Sequence, residues 1–342
     1  MKINKLIVPK DNSYYVNEFP IHTTTLFGAL ANSYVKLYGE NNFNDFLAIF
    51  EFNNAKISSV FPFIRTKEKD LLFFPRPLIP YRSKEKENIN INRKKLDSIK
   101  WVSMDVLNKL SSRIIKYKDQ LYHEFDYLNE CDSLNDTFLI LRDELSKNDK
   151  EEINNNLKIE ENIKTRVLTN RIGLENNVPF KIKCYRFENR KNLSEKYSIN
   201  MFFLEDGIEE DKKWIATKNL LLDEGLGGKR NIGGGHFMDI KTTEFSININ
   251  EKNEYGMLCS AFIPNDISSI DKIVYYDLGN DSGYVTYFFP TKIKKSKLYY
   301  FKEGSIVKNG IEGSFKKQKY YNKEIVRYGR EFVLPIGGIN NE

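Results

Sequence analysis

The chain has 342 residues, 40% hydrophobic and 13% aromatic, with a formal net charge of +6. That length suggests about two domains and the apolar fraction is enough for a packed core, which excludes overall disorder. No apolar run approaches the roughly 18 residues of a membrane span, and three cysteines without a C-x-x-C spacing exclude a disulfide framework and a cysteine zinc site. These features predict a reduced, cytoplasmic protein without a membrane segment. The 37 Asn against 6 Ala reflect a biased codon supply rather than a function.

Residues 2–9 read as a strand. One of Thr23, Thr24 or Thr25 then caps a helix whose apolar face runs Leu26/Phe27, Leu30, Tyr34 and Leu37/Tyr38, stopping at Gly39. A short helix is expected over residues 42–52. Apolar runs at 57–64 and 71–74 flank a charged turn and form a hairpin, which Pro75, Pro77 and Pro80 end. Residues 82–100 are a polar excursion. Helical periodicity returns at 104–116 and 134–146, and the polar stretch 147–164 is the expected linker between domains 1–150 and 151–342. Strand-like runs at 164–169 and 180–187 make a second hairpin, and 198–204 is another strand. A helix starting at Asp211 buries Trp214, Ile215, Leu221 and Leu222 and ends before Gly225. The remainder is β: 237–249, 255–263, 273–278, 284–289, 298–301 and 324–334. A strand–helix–hairpin order in each half predicts an α+β chain of two ferredoxin-like units.

Three features carry candidate chemistry. The stretch 225–237 holds six glycines in eleven residues around Lys229, Arg230 and Asn231. Backbone that must turn left-handed or approach a ligand closely tolerates that density, and exposed N–H groups beside two cations suit phosphates. It is neither a P-loop, since Arg230 follows Lys229 in place of Ser/Thr, nor a dinucleotide fingerprint, since it follows a helix. The second feature is His22 with Thr23, Thr24 and Thr25 at a helix start, where N–H groups and hydroxyls form an anion site, although ordinary capping explains them better. The third is the hairpin carrying Arg166 and Arg171, with Lys181, Lys183, Tyr185 and Arg186 on its return strand, which reads equally as a basic and aromatic surface suited to wedging between nucleotides or as an ordinary surface hairpin. Residues 290–330 carry a local charge of +9, which reads either as a polyanion track or as a lysine-protected edge. His123 reads as structural. No hydrolase elbow, zincin motif or acidic metal box is present.

Taken as an ordered series, these segments resemble the RAMP superfamily of CRISPR-Cas proteins, and within it the fourth-subunit family of the type III-A (Csm) effector complex. The resemblance rests on the residues Phe19-Pro20-Ile21-His22-Thr23-Thr24-Thr25-Leu26-Phe27-Gly28-Ala29-Leu30, Ser58-Ser59-Val60-Phe61-Pro62-Phe63 and Phe74-Pro75-Arg76-Pro77-Leu78. It continues through the Arg171 segment, the glycine-rich loop, and Val326-Arg327-Tyr328-Gly329 before Leu334-Pro335. The chain departs from the family at Thr24 and Asn170, where acidic residues are common, and in the position of Gly173.

The resemblance implies two RRM-like RAMP domains with a β-hairpin thumb. It also implies binding of the crRNA 5′ handle, beside the large polymerase-like palm subunit and the backbone RAMP subunit, with neither catalysis nor a cofactor. The RNA-binding residues expected on this reading are His22, Thr23, Thr24, Thr25, Arg166, Arg171, Gly227, Gly228, Lys229, Arg230, Asn231, Gly233, Gly234, Gly235 and His236. Residues 164–187 are the expected thumb, with 65–100 as the alternative. A rival expectation is a metal-independent endoribonuclease that processes repeat RNA with His22 as general acid or base. A protein-interaction module without RNA contact is the third.

Overall fold

The computed structural model describes all residues except 10–11, 53, 83–95, 168–178, 190–196, 248–253, 286–292, 321–322, 338–339 and 342. Strand Lys2–Ile7 buries Ile3, Asn4 and Leu6 and lies between two antiparallel partners, Ser198–Asp206 and Asp239–Glu244. Ser198–Asp206 pairs on its other side with Phe61–Arg65. Helix Thr23–Tyr38 buries Leu26, Phe27, Leu30 and Tyr34 at helical spacing, and Gly39 ends it with φ +86°. Helix Lys212–Glu224 packs beside it, capped by Asp211, which accepts from the Trp214 N–H at 2.7 Å. In chain order the six elements run strand, helix, strand, strand, helix, strand. In space the strands lie fourth, first, third, second.

Everything between Arg65 and Ser198 is inserted into this pattern. Strands Asp70–Pro75, Trp101–Ser103, Phe138–Leu141 and Cys131–Leu134 extend the sheet beyond Phe61–Arg65. The same insertion contains a long antiparallel hairpin, Leu157–Val167 with Pro179–Asn189, anchored by pairing of Tyr185 with Tyr14.

A second sheet repeats the arrangement. Strands Tyr255–Leu258, Ile273–Tyr275, Ile306–Lys308 and Val333–Ile336 are ordered second, third, first, fourth, all neighbours antiparallel, so both sheets share one connectivity. A hairpin, Lys316–Tyr320 with Lys323–Arg327, stands where the first unit has its second helix. Another, Leu278–Asp281 with Leu298–Phe301, is inserted between the second and third strands, as in the first unit. One apolar core joins the two: Phe27 and Phe50 meet Phe315 and Tyr328, whose hydroxyl accepts from the Ile57 N–H at 3.0 Å.

This architecture corrects several expectations. A division at residue 150 would strip Ser198–Asp206 and Asp239–Glu244 from the first sheet; the strands place the boundary between Glu244 and Tyr255. The expected linker 147–164 is instead helix Lys147–Asn156, capped by Ser146, running into strand Leu157–Val167. Its polar composition reflects a solvated helix with one buried residue, Ile153. Residues 134–146 are not a helix, because the Phe138–Leu141 run completes a buried sheet layer, where tertiary packing overrides periodicity. The helix expected over 104–116 ends at Ser111, and 324–334 divides into two strands. Ile215 is exposed, whereas Trp214 and Leu221 are buried. The three cysteines are buried and unpaired. Among the described residues no helix is long and apolar enough to cross a membrane.

Candidate nucleic-acid interface

His22 precedes the first helix in extended conformation and does not cap it with its side chain. Its ring turns to the second unit, with Nδ1 3.0 Å from both carboxylate oxygens of Glu303 and Nε2 3.5 Å from Glu18 Oε2. Burial pulls the imidazole pKa down, but the Glu303 charge and the bonds to Glu18 and Glu303 outweigh it and raise it to about 9. Glu303 is likewise disfavoured by burial, yet the His22 charge and bonds from His22 and Ser59 hold it below the usual carboxylate range.

Thr23 is buried in the same joint. Its hydroxyl lies 2.8 Å from Ser59 Oγ and accepts from the Ala261 N–H at 3.2 Å, while Ser59 Oγ also accepts the Thr23 N–H and bonds Glu303. The anion beside this helix start is therefore the protein's own Glu303. Of the four residues expected there for RNA, His22 and Thr23 join the two units, and Thr24 and Thr25 remain half-buried on an open face.

The glycine-rich loop is folded on itself. Leu226 donates to Gly235 O at 2.9 Å, Gly228 to Tyr15 O at 2.8 Å, Gly233 to Arg230 O at 3.1 Å and Gly235 to Ser13 O at 3.1 Å. A Cβ on Gly235, at φ +79°, would sit 2.0 Å from Leu226 O, so the glycine is required by close approach. Gly234 and Gly235 are buried, against the Tyr15 ring and the Leu226 backbone respectively. His236 also serves the loop: its carbonyl accepts from Asn12 Nδ2 and Tyr14 OH, both at 2.8 Å, and its Nε2 lies 3.2 Å from Arg230 O. Gly228, Lys229, Asn231 and Gly233 face outward. Lys229, itself left-handed at φ 58°, places its ammonium 5.7 Å from the Phe180 ring of the hairpin.

Tyr15 connects the hairpin to this loop. Arg166 Nη2 donates to Tyr15 OH at 3.2 Å, and Lys164 lies 5.7 Å from the ring centroid. Arg171 lies outside the described residues. So do the greater part of 82–100 and the tip of the hairpin.

These pieces border one cleft of about 410 Å³. Glu18, His22, Thr24, Thr25, Gly28 and Asn32 form one wall, Gly227, Gly228 and Arg230 a second, and Asn280, Asp281, Tyr284, Lys295 and Tyr300 of the second unit a third. Residues 22, 24 and 25 and residues 227, 228 and 230, remote in the chain, thus share a site. The contributions of Tyr15, Glu18, Asp281 and Glu303 are absent from the sequence reading. The alternation around Leu298–Phe301 marks a strand, but nothing in it names Leu278–Asp281 as the partner. His123 is buried, its Nε2 3.3 Å from Tyr127 OH, and burial pushes its pKa down to about 3.

Comparison with known proteins places these features in a family. Residues 251–336 match the family model of the CRISPR Csm4 C-terminal domain. A curated relative from Methanocaldococcus jannaschii, named CRISPR system Cms protein Csm4, is 30% identical over 339 residues, covering 92% of this chain and 86% of its own. Among solved structures, a chain of the Csm3–Csm4 subcomplex in the type III-A CRISPR-Cas interference complex superposes with a TM-score of 0.64. That match has 22% identity and covers 99% of this chain and 100% of the other. A chain of the Csm1–Csm4 cassette in complex with cA4 gives a TM-score of 0.57 at 17% identity, with 98% and 97% covered.

Proposed function

The chain belongs to the Csm4 family of type III CRISPR effector subunits, and from that premise we propose that it is a non-catalytic subunit that holds the 5′ handle of the crRNA. On this reading it also bridges the large polymerase-like subunit and the backbone subunit, as the relatives crystallised with Csm1 and with Csm3 suggest. The observation that carries the RNA role is the shared cleft, in which the first helix and the loop at 227–230 meet. The basic hairpin stands alongside, with Lys229 against Phe180 and Arg166 on Tyr15.

The strand order supports two ferredoxin-like, RRM-like units, since fourth-first-third-second with a strand-helix-strand pattern is that fold's connectivity. The hairpin Leu157–Val167 with Pro179–Asn189 is the proposed thumb. Its outer half carries Lys164, Arg166, Lys181 and Lys183 with exposed Ile163, Val167 and Phe180, a combination suited to separating stacked nucleotides. As a general base His22 would have to take up a proton, yet its raised pKa keeps it already charged, and as a general acid it would have to give a substrate a proton that Glu303 and Glu18 hold at its two ring nitrogens.

The test is handle-RNA binding by the assembled complex across a salt series. Lys229→Ala/Arg230→Ala is expected to weaken binding and to shallow the log K against log salt slope by roughly 0.7 per lost phosphate contact. An unchanged affinity and slope removes the loop from the interface. Metal-independent cleavage of repeat RNA that disappears in His22→Ala would establish the nuclease instead.

A further inference from the structure

The cleft is poorly built for a phosphate. Glu18 and Asp281 both line it, and their cations are already engaged with them: Glu18 Oε2 is 3.1 Å from Lys302 Nζ, and Asp281 Oδ2 is 3.0 Å from Lys295 Nζ and 3.8 Å from Arg327 Nη1. An entering anion meets two carboxylates, and the cations that line the cleft, His22, Arg230 and Lys295, are each already in contact with a carboxylate. The more exposed cation, Lys229, lies on the loop outside. The cleft therefore separates a backbone-tracking rim from an interior that accepts something uncharged.

Gly28 gives the shape of that guest. It occupies the middle of helix Thr23–Tyr38, where glycine is roughly 1 kcal/mol worse than alanine. Packing does not demand it, because a Cβ there would meet nothing within 4 Å. What its absence provides is a bare patch of helix on the cleft wall, which a flat ring can approach closely. Tyr284, which lines the same cleft from the second unit, has 60% of its surface exposed, an aromatic face available for stacking. The volume of about 410 Å³ falls within the roughly 300–1,000 Å³ of small-ligand sites.

We propose that this cleft seats one unstacked nucleobase of the bound strand against Gly28, and that the Glu18 carboxylate selects a base presenting two adjacent N–H donors, as guanine does. The proposal rests on the handle-binding reading and adds to it a specificity-determining residue. An ionised carboxylate only accepts hydrogen bonds. Guanine offers it N1–H and the N2 amino group side by side, whereas uracil offers one N–H flanked by two carbonyl oxygens that repel it. The ion-pair contacts of Glu18 to His22 and Lys302 are made through Oε2, and the side chain remains 48% exposed. The His22 imidazole 3.5 Å away, against the pull of burial, and the Lys302 ammonium hold the Glu18 carboxyl down at about 2, so it remains an acceptor at any pH of assembly.

The test is fluorescence anisotropy of the full chain with labelled eight-nucleotide oligouridylate, unsubstituted or carrying one guanosine or one inosine, at two salt concentrations. The guanosine probe is expected to bind about tenfold tighter than oligouridylate, the scale of one bidentate base contact. Inosine, lacking the N2 amino group, should lose most of that gain. Glu18→Gln should bring the ratio close to one. So should Gly28→Phe, which fills the cleft from a position open to a side chain and whose retained melting temperature shows an intact fold. Equal, salt-dependent binding of all three probes would overturn the base pocket while leaving the RNA-binding reading standing. A tenfold ratio surviving in Glu18→Gln would also overturn it. No salt-dependent binding of any probe would overturn the RNA-binding reading itself.

Discussion

His22 and Glu303 come from opposite ends of the chain and meet in a site almost closed to water. Because the folded imidazole titrates at about 9 and an unfolded one near 6.5, the pair's contribution is complete below pH 6.5 and lost as pH rises through 9. That difference corresponds to about 3 kcal/mol. Urea melts from pH 6 to 9.5 should show stability falling by an amount of that order in the wild type, and a much flatter profile in His22→Gln. His22→Ala should cost more, about 3–5 kcal/mol, because it leaves Glu303 buried without its counter-ion. Two glycines should respond in opposite directions. Gly28→Ala should raise stability by about 0.5–1 kcal/mol in a thermal melt, since the new methyl meets open space in a helix. Gly235→Ala should lower it by more than 2 kcal/mol, because the added carbon collides with Leu226 O at a left-handed φ.

At the scale of elements, the helix Lys212–Glu224 is held to its sheet by a buried lysine. Lys218 Nζ is 2.9 Å from Asn4 Oδ1, 3.3 Å from Glu205 Oε1 and 3.1 Å from Thr242 Oγ1, contacts drawn from three adjacent strands. Lys218→Met should destabilise by about 3–5 kcal/mol in urea denaturation, since Glu205 is then buried without its cation. Adding Glu205→Gln should recover part of the loss if the uncompensated charge is the cause. That lysine, unremarkable in a polar-looking helix, shows what the residue pattern conceals. The helix itself was readable from its Asp211 cap and Gly225 terminator. The first helix, the hairpin at 61–75 and the presence of the 157–189 hairpin were readable in the same way, because caps, prolines and alternation act locally. Misreadings fell where long-range pairing decides: Phe138–Leu141 became a strand because the sheet edge beside Trp101–Ser103 needed covering. The site was half legible. Lys229, Arg230 and the threonines were marked by unusual local composition, whereas Glu18, Asp281 and Glu303 become meaningful only once the two units are apposed.

For the whole molecule, the shared core and the His22–Glu303–Ser59 joint predict one cooperative thermal transition in calorimetry, with calorimetric and van't Hoff enthalpies in agreement. Two resolved transitions would mean that the units melt independently. The cleft has walls from both units, so a bound strand should raise that single transition with ligand concentration rather than broaden it.

The central position of Ser198–Asp206 has a bearing on biosynthesis. Its sheet neighbours, Lys2–Ile7 and Phe61–Arg65, leave the ribosome far ahead of it. At about 5–20 residues per second, roughly 10–40 s separate the emergence of the first strand from that of the strand that pairs with it. Through that interval Lys2–Ile7 has neither of its native neighbours, and Phe61–Arg65, paired on one side with Asp70–Pro75, keeps its other edge open, so both present edges that could pair with other chains until Ser198–Asp206 arrives.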